Sequence, residues 1–345
     1  MFDSLPGEDY GSLAAANHGT GADDSPALFY AKGEIFSWDY KKNLPVNPDC
    51  ERKSLICIGI TAHAVRELKI LRIFAFLLGY ETDVKEFTAQ IKAVEKELNE
   101  NYWSDTQKCY LDRVIDEDKL LEIPWIYDYL PLFSDSAPQA RKEILFKGLL
   151  NDGYLTKNGL MIVKPDSQYY RQNGYPNGSI WPSLQYFFWK ACIDMGEMTA
   201  AVDIAERYFR VFEKNHHETL CCWEQFRAET GKGAGNTRFS VFVTPIIAMH
   251  KAHRIYGSVQ AGYDVLISNL KMSDTSAFLQ LSSPFFSGKT GLSIVLKPNK
   301  KYIVSICNEK EDYQLSSDNN GYLPITLDIQ SGELVDVSLK PCNNN

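Results

Sequence analysis

The sequence lacks a basic excess, an apolar run of bilayer length, paired cysteine motifs and a repeat of fixed period, and each absence removes a class of function. Lys and Arg number 36 against 44 Asp and Glu, a formal charge of −8. Nucleic-acid binding needs a basic stripe, so no nucleic-acid partner is expected. Acidic and basic residues are interspersed, with no block of one sign to form an interaction tail. The longest apolar stretch, around Ile70 to Tyr80, is broken by Arg72 and is too short to span a bilayer, so no membrane partner is expected. Met1 to Asp9 has no basic start or apolar run of a secretory signal. The eight cysteines contain no CxxC pair, and a chain of this size needs no staples. Cys57 and Cys192 read as small buried hydrophobes. His216-His217 followed by Cys221-Cys222 matches no metal spacing and reads as a helix end and a strand. The missing fixed period weighs against an α-solenoid.

At 345 residues two domains are the better expectation. Met1 to Asp49 is loop-like, with recurring Gly, Pro, Asp and Asn. Leu55 to Leu78 is apolar on most faces, which predicts a helix packed on all sides and stopped at Gly79. Phe87, Ile91, Val94 and Leu98 then recur at helical spacing opposite a charged face, the mark of an amphipathic helix. The alternation repeats. A helix from about Trp181 to Met195 is apolar all round, and Met198 to Lys214 is amphipathic, with Ala201, Ile204, Ala205, Tyr208 and Phe212 on one side. Buried helix, short link and amphipathic helix suggest hairpins in two layers. After a linker-like Gly257 to Gly262 the period becomes two, as in Leu292, Ile294 and Leu296 or Val335, Val337 and Leu339. With a hairpin-turn signal at Asn320-Gly321, this predicts a β-sandwich-like domain over 263–342 of about six strands. The helical domain is placed at 1–257.

Three stretches interrupt the helical pattern with polar, Gly and aromatic residues. In Thr20-Gly21-Ala22-Asp23-Asp24-Ser25-Pro26, paired acids between Gly and Pro make a turn that can hold a carboxylate at a cavity mouth. Taken alone it is better read as an Asx-turn or helix cap. Tyr169 to Pro182 crowds amides, Arg171, three tyrosines and Trp181 ahead of a buried helix. Hydroxyl-rich ligands use this mixture, with planar amides and guanidinium for paired hydrogen bonds and aromatic faces for a sugar ring. An ordinary loop leading into a core helix is the competing reading. In Cys221 to Gly235, Glu224 sits between Trp223 and Phe226, and a Gly-rich loop follows. Aromatic neighbours can restrict solvent at a carboxylate, and glycines let backbone approach a ligand; a solvated Glu before a loose loop is the alternative. Two carboxylates on separate segments beside a polar-aromatic pocket form the residue set of a glycosidase.

With these stretches in this order, the chain resembles the six-hairpin glycosidases of the (α/α)6-barrel class. It is most similar to glycoside hydrolase family 63 and its mannosylglycerate-hydrolase-like branch, with family 37 trehalases more distant. The resemblance rests on Thr20 to Pro26, Pro176 to Pro182, and Glu224-Gln225-Phe226 with Thr230-Gly231, over roughly Asp9 to Gly257. Smaller echoes are Trp103, Tyr110-Leu111-Asp112 and Tyr129 to Phe133. The resemblance implies Asp23 as general acid and Glu224 as general base, with a carboxyl separation of about 6.5–9.5 Å if inversion holds. It implies a sugar subsite lined by Trp181, Asn177, Arg171, Tyr175, Gly178 and Asp24. The reaction is then inverting hydrolysis of an α-linked glucoside or mannoside, acting on an oligosaccharide or small α-glycoside, with no metal or organic cofactor. The sequence departs from the pattern at Ala27, where the family has Arg, and at Phe239-Ser240-Val241, where a Trp is usual. The acid turn also falls at position 23, where the family places several helices before it. The expected fold is therefore mainly α, an (α/α)6 toroid of helical hairpins that is N-terminally incomplete, with a small C-terminal β domain. The N-terminal half of the barrel would be a missing partner. The alternative function is a catalytically impaired fragment or carbohydrate-binding remnant.

Overall fold

The computed structural model describes residues 55–114, 117–172, 177–238 and 240–342, together with the two-residue strands Ala14–Ala15, Trp38–Asp39 and Leu44–Pro45. The described residues form six α-helices: α1 Ile58–Leu78, α2 Glu81–Asn101, α3 Gln139–Asn151, α4 Pro182–Asp194, α5 Met198–Thr219 and α6 Ser240–Arg254. That is half the complement of a closed (α/α)6 toroid, and antiparallel β-sheets follow it in the chain. The chain divides into two compact units. The first comprises Met1–Leu68, Thr88–Trp181 and Gln225–Gly235; the second comprises Lys69–Phe87, Pro182–Glu224 and Asn236–Asn345. The boundary expected near residue 257 falls inside the second unit.

In the first unit, α1 begins three residues later than its apolar pattern suggests, because Leu55–Ile56 pairs as a strand with Arg113–Val114. The helix start is fixed by Asp112, whose Oδ1 accepts the Ile58 N–H at 2.8 Å. This satisfies one of the donors that every helix N-terminus leaves open. Arg66 is buried and donates through Nε and Nη2 to the Phe133 carbonyl at 2.9 and 2.6 Å. The Tyr129 to Phe133 segment lies almost wholly in the core. Trp103 meets Tyr110 edge-on at 5.2 Å. Ile91 and Leu98 of α2 are buried as their spacing predicts, with Phe87 and Val94 half-buried beside them.

The expectation that α1 is packed on all sides is corrected over its second half. Ile58, Ala62 and Val65 are buried, but Leu71, Phe74, Phe76, Leu77 and Leu78 are between 45% and 66% exposed. Apolar composition shows that a helix favours burial; neighbours decide whether it is covered.

In the second unit, α4 is buried on most of its faces and α5 buries Ala201, Ile204, Ala205 and Tyr208, as the two patterns predict. Gly196 turns the chain between them with φ of +73°. The β region contains eight strands rather than six. Val259–Ala261, Gly288–Val295 and Tyr322–Ile329 form a three-stranded sheet. Leu266–Ser273, Ser276–Ser282, Leu334–Pro341, Lys301–Ile306 and Tyr313–Ser316 form a five-stranded one. The two sheets share one core, built from period-two positions such as Leu292, Ile294, Tyr302, Val304, Leu323, Val335 and Val337. The stretch read as a linker thus contributes a strand, too short to show alternation. Asn320-Gly321 does turn the chain tightly, with Gly321 N–H donating to the Asp318 carbonyl at 3.1 Å. The strands on either side of it belong to different sheets, so it is not a hairpin.

Gly288–Val295 is buried from Thr290 onward without alternation, because its second face meets α4 and α6. Gly291 permits this approach: a Cβ there would lie 2.2 Å from the Met198 sulfur. The contact is tied polarly as well. Asp194 Oδ1 accepts the Tyr263 N–H at 2.7 Å, and the Lys190 ammonium donates to the Ala261 carbonyl.

Candidate active site

Two of the three motifs are hydrogen-bonded neighbours. In the first unit, Ser179–Ile180 pairs antiparallel with Gln225–Arg227, which pairs in turn with Gly233–Ala234. The second and third motifs, more than 40 residues apart in the chain, therefore meet in one three-stranded sheet. The Ala228 N–H donates to the Gly178 carbonyl at 3.2 Å and continues the pairing. The Gly-rich loop closes the turn between the last two strands. Gly231 adopts φ of +69°, a conformation that costs glycine least, and its N–H donates to the Arg227 carbonyl at 2.8 Å.

Glu224 immediately precedes the middle strand, is buried, and belongs with Asn236 to the second unit. Its backbone N–H donates to the Asn236 carbonyl, and its Oε2 accepts the Asn236 N–H, both at 2.9 Å. The carboxylate is thus held by main chain.

The loop expected to read a sugar is organised around its own backbone. Asn177 is buried, and its Nδ2 donates to the Tyr169 carbonyl at 2.9 Å. Among the described residues its Oδ1 is buried without a donor, as is Oε1 of Gln225 in the middle strand. Arg171 is exposed and folds back, donating through Nη1 to the Gln168 and Tyr170 carbonyls at 2.8 Å each. A Cβ on Gly178 would stand 2.0 Å from the Arg171 carbonyl oxygen. Only glycine lets the turn cross this loop so closely. Trp181 is packed in, with 7% of its surface exposed, so it presents little face for a ring to stack upon. Asp23, Asp24 and Tyr175 lie outside the described residues.

Sequence reasoning drew no role from two further clusters, both in the first unit. Glu229 accepts the Tyr170 hydroxyl at 2.8 Å and the side-chain amide of Gln172. Those hydrogen bonds, Gln172 first, hold its carboxyl below the usual range, aided by the charge of Lys157. The second cluster is Asp112 and Asp128, both fully enclosed. Burial raises the Asp112 pKa to about 6. It raises Asp128 well above the carboxylate range, with the charge of Asp112 adding to the effect. A buried acid is marked by its environment rather than its residue type, so spacing alone gives no signal for it.

The comparisons with known proteins bear on this geometry. Residues 16–241, about two thirds of the chain, match the model of the mannosylglycerate hydrolase MGH1-like glycoside hydrolase domain. The chain belongs to this family. Among solved structures, it is similar to the GH63 mannosylglycerate hydrolase from Thermus thermophilus in complex with Tris. That match has 20% identity and a TM-score of 0.50, over 57% of this chain and 45% of that one. The same enzyme in complex with glucose gives 21% identity and a TM-score of 0.50, over 57% and 47%. A structure described as a sialidase gives 13% identity and a TM-score of 0.54, over 90% of this chain and 29% of that one. At these identities the likeness is one of fold. The chain spans a little under half the length of the mannosylglycerate hydrolase it matches. No curated protein matches the chain.

Proposed function

We propose that this glycoside hydrolase domain cleaves an α-linked glucoside or mannoside with inversion, Asp23 acting as general acid and Glu224 as general base. The acid protonates the departing glycosidic oxygen, and the base takes a proton from the water that attacks the opposite face of the sugar. The reading is supported above all by one pairing: the strand that follows Glu224 is hydrogen-bonded to the strand that follows Asn177-Gly178. Three further observations agree with it. Glu224 is fixed by the backbone of Asn236, so the carboxylate needs little reorganisation to orient a water. Asn177 Oδ1 and Gln225 Oε1 are buried acceptors that meet no donor among the described residues, and sugar hydroxyls are donors. Family membership supplies the reaction class.

The test is incubation of the chain with α-mannosides and α-glucosides while proton NMR follows the anomer released first. Inversion gives the β-anomer first. Glu224→Gln and Asp23→Asn should each remove turnover. Release of the α-anomer first would overturn the inverting assignment. The alternative reading is a carbohydrate-binding remnant without turnover. Sugar binding with no hydrolysis would select it.

A further inference from the structure

A pocket of about 320 Å³ opens in the first unit, lined by Lys157, Met161, Pro165, Tyr170, Ala228 and Glu229 among others. Tyr170 comes to it from the second motif and Ala228-Glu229 from the third, but the family resemblance gives none of them a role. It is assembled from the Leu155–Thr156/Gly159–Leu160 hairpin, the loop after it, and the turn that leaves strand Gln225–Arg227. Its volume lies at the lower end of the range for small-molecule sites, room for about one hexose.

The lining separates into two kinds of surface. Met161, Pro165, Ala228 and the Tyr170 ring make an apolar floor, as the C–H face of a pyranose requires. Thr156, Glu229 and Lys157 provide the polar groups, and the Thr156 hydroxyl already donates to the Gly159 carbonyl at 2.8 Å. A carboxylate has about four acceptor positions. Tyr170 and Gln172 occupy two on Glu229, one on each oxygen. The same hydrogen bonds keep it ionised. Lys157 is exposed, and among the described residues its ammonium, with three donors, forms neither an ion pair nor a hydrogen bond. An acceptor with spare capacity and an unused donor suit two adjacent hydroxyls, one donating to the carboxylate and the other accepting from the ammonium. The charges of Glu229 and Lys157 cancel, which gives the pocket no preference for an anion.

We propose that this pocket is a subsite for one neutral pyranose or polyol unit, held through a vicinal diol by Glu229 and Lys157 against the Tyr170 and Met161 floor. The assignment rests on the glycoside hydrolase reading for its role, as the place of a sugar or polyol beyond the cleaved bond, but binding there is measurable without turnover. It makes the preferred aglycone neutral, not a carboxylate.

The experiment uses the full chain labelled with [13C]methyl-methionine, which gives six methionine signals; Met161→Leu assigns the one in the pocket. Methyl α-D-mannoside, methyl α-D-glucoside, glycerol and D-glycerate are titrated in turn. A saturable shift of the Met161 methyl is expected with the glycosides or glycerol, and their relative affinities tell pyranose from simple polyol. D-Glycerate should bind at least tenfold more weakly than the best neutral probe. Glu229→Ala and Lys157→Ala alter exposed side chains, and each should weaken binding about tenfold or more, with the other methionine signals unmoved. The proposal is overturned by no Met161 response to any neutral probe, by tighter binding of D-glycerate, or by full response in the double variant. A Met161 response without hydrolysis would remove the hydrolase reading and leave the subsite. Hydrolysis without the response would do the reverse.

Discussion

The indole N–H of Trp189 donates to Nε2 of His253 at 2.8 Å inside the second unit, so this imidazole nitrogen must be unprotonated in the folded chain. His253 is buried and stacks on Tyr322 at a ring separation of 4.5 Å. Burial, then the charges of Arg254 and His250, lower its pKa to about 3. Between that value and the unfolded pKa of about 6.5, only the unfolded chain takes up the proton. This contribution to stability is therefore complete above about pH 6.5 and declines as the pH falls toward 3. Urea denaturation of the second unit should give a lower midpoint at pH 5 than at pH 7.5. His253→Leu should flatten that dependence. It should also cost about 1–3 kcal/mol at pH 7.5 by stranding the indole N–H.

The first unit carries a group of opposite sign. Burial raises Asp112 to about 6, above the unfolded value near 3.9. A raised carboxyl contributes fully below its unfolded pKa, and the contribution is lost as pH rises through about 6. Asp112→Asn keeps an oxygen for the Ile58 N–H and removes the buried charge. The variant should melt above the wild type at pH 8 and no higher than it at pH 4.5. Equal melting of both proteins at both values would show that Asp112 does not titrate in this range.

Gly178→Ala should destabilise the first unit by about 1–3 kcal/mol, the usual cost of forcing atoms into filled space. The new methyl would meet the Arg171 carbonyl oxygen, a backbone atom that no rotamer change can move aside. Thermal melts of Gly178→Ala against the wild type measure this cost, and an unchanged melting temperature would show that the loop yields to the added methyl.

The second half of α1 should bind hydrophobic dyes in the native state. Phe74, Leu77 and Leu78 are each more than half exposed, and a contiguous apolar surface of this kind is uncommon on folded monomers. Phe74→Ser with Leu78→Ser should lower dye fluorescence without lowering the melting temperature. An equal fall in both would mean that these side chains are packed.

Much of the helical architecture is readable in the residues themselves. The spacing of Ile91 and Leu98, or of Ala201, Ile204 and Tyr208, names the faces these helices bury, because helical period ties sequence position to direction. The alternation of Leu292 with Ile294, or Val335 with Val337, likewise gives the core that the two sheets share. What fails is what depends on distant neighbours. Nothing local to Asn320-Gly321 says which sheet each flanking strand joins. Nothing in Phe74 or Leu77 says whether another helix covers them. The candidate site divides the same way. Glu224 and Gly178 stand out by their surroundings in the sequence, whereas the partnership of Glu229 with Tyr170 joins residues 59 apart and is set only by the pairing of strands.

That pairing also sets an order of events. Between Ser179–Ile180 and Gln225–Arg227 the chain makes two whole helices, α4 and α5, both assigned to the other compact unit. Closing a loop of this length costs entropy that the few hydrogen bonds of two-residue and three-residue strands recover poorly by themselves. The helical excursion, collapsing into a hairpin, shortens the effective distance. The sheet beside Glu224 should accordingly form late in folding and open early in unfolding. Its amides should exchange with solvent deuterium well before those of the core between the two C-terminal sheets.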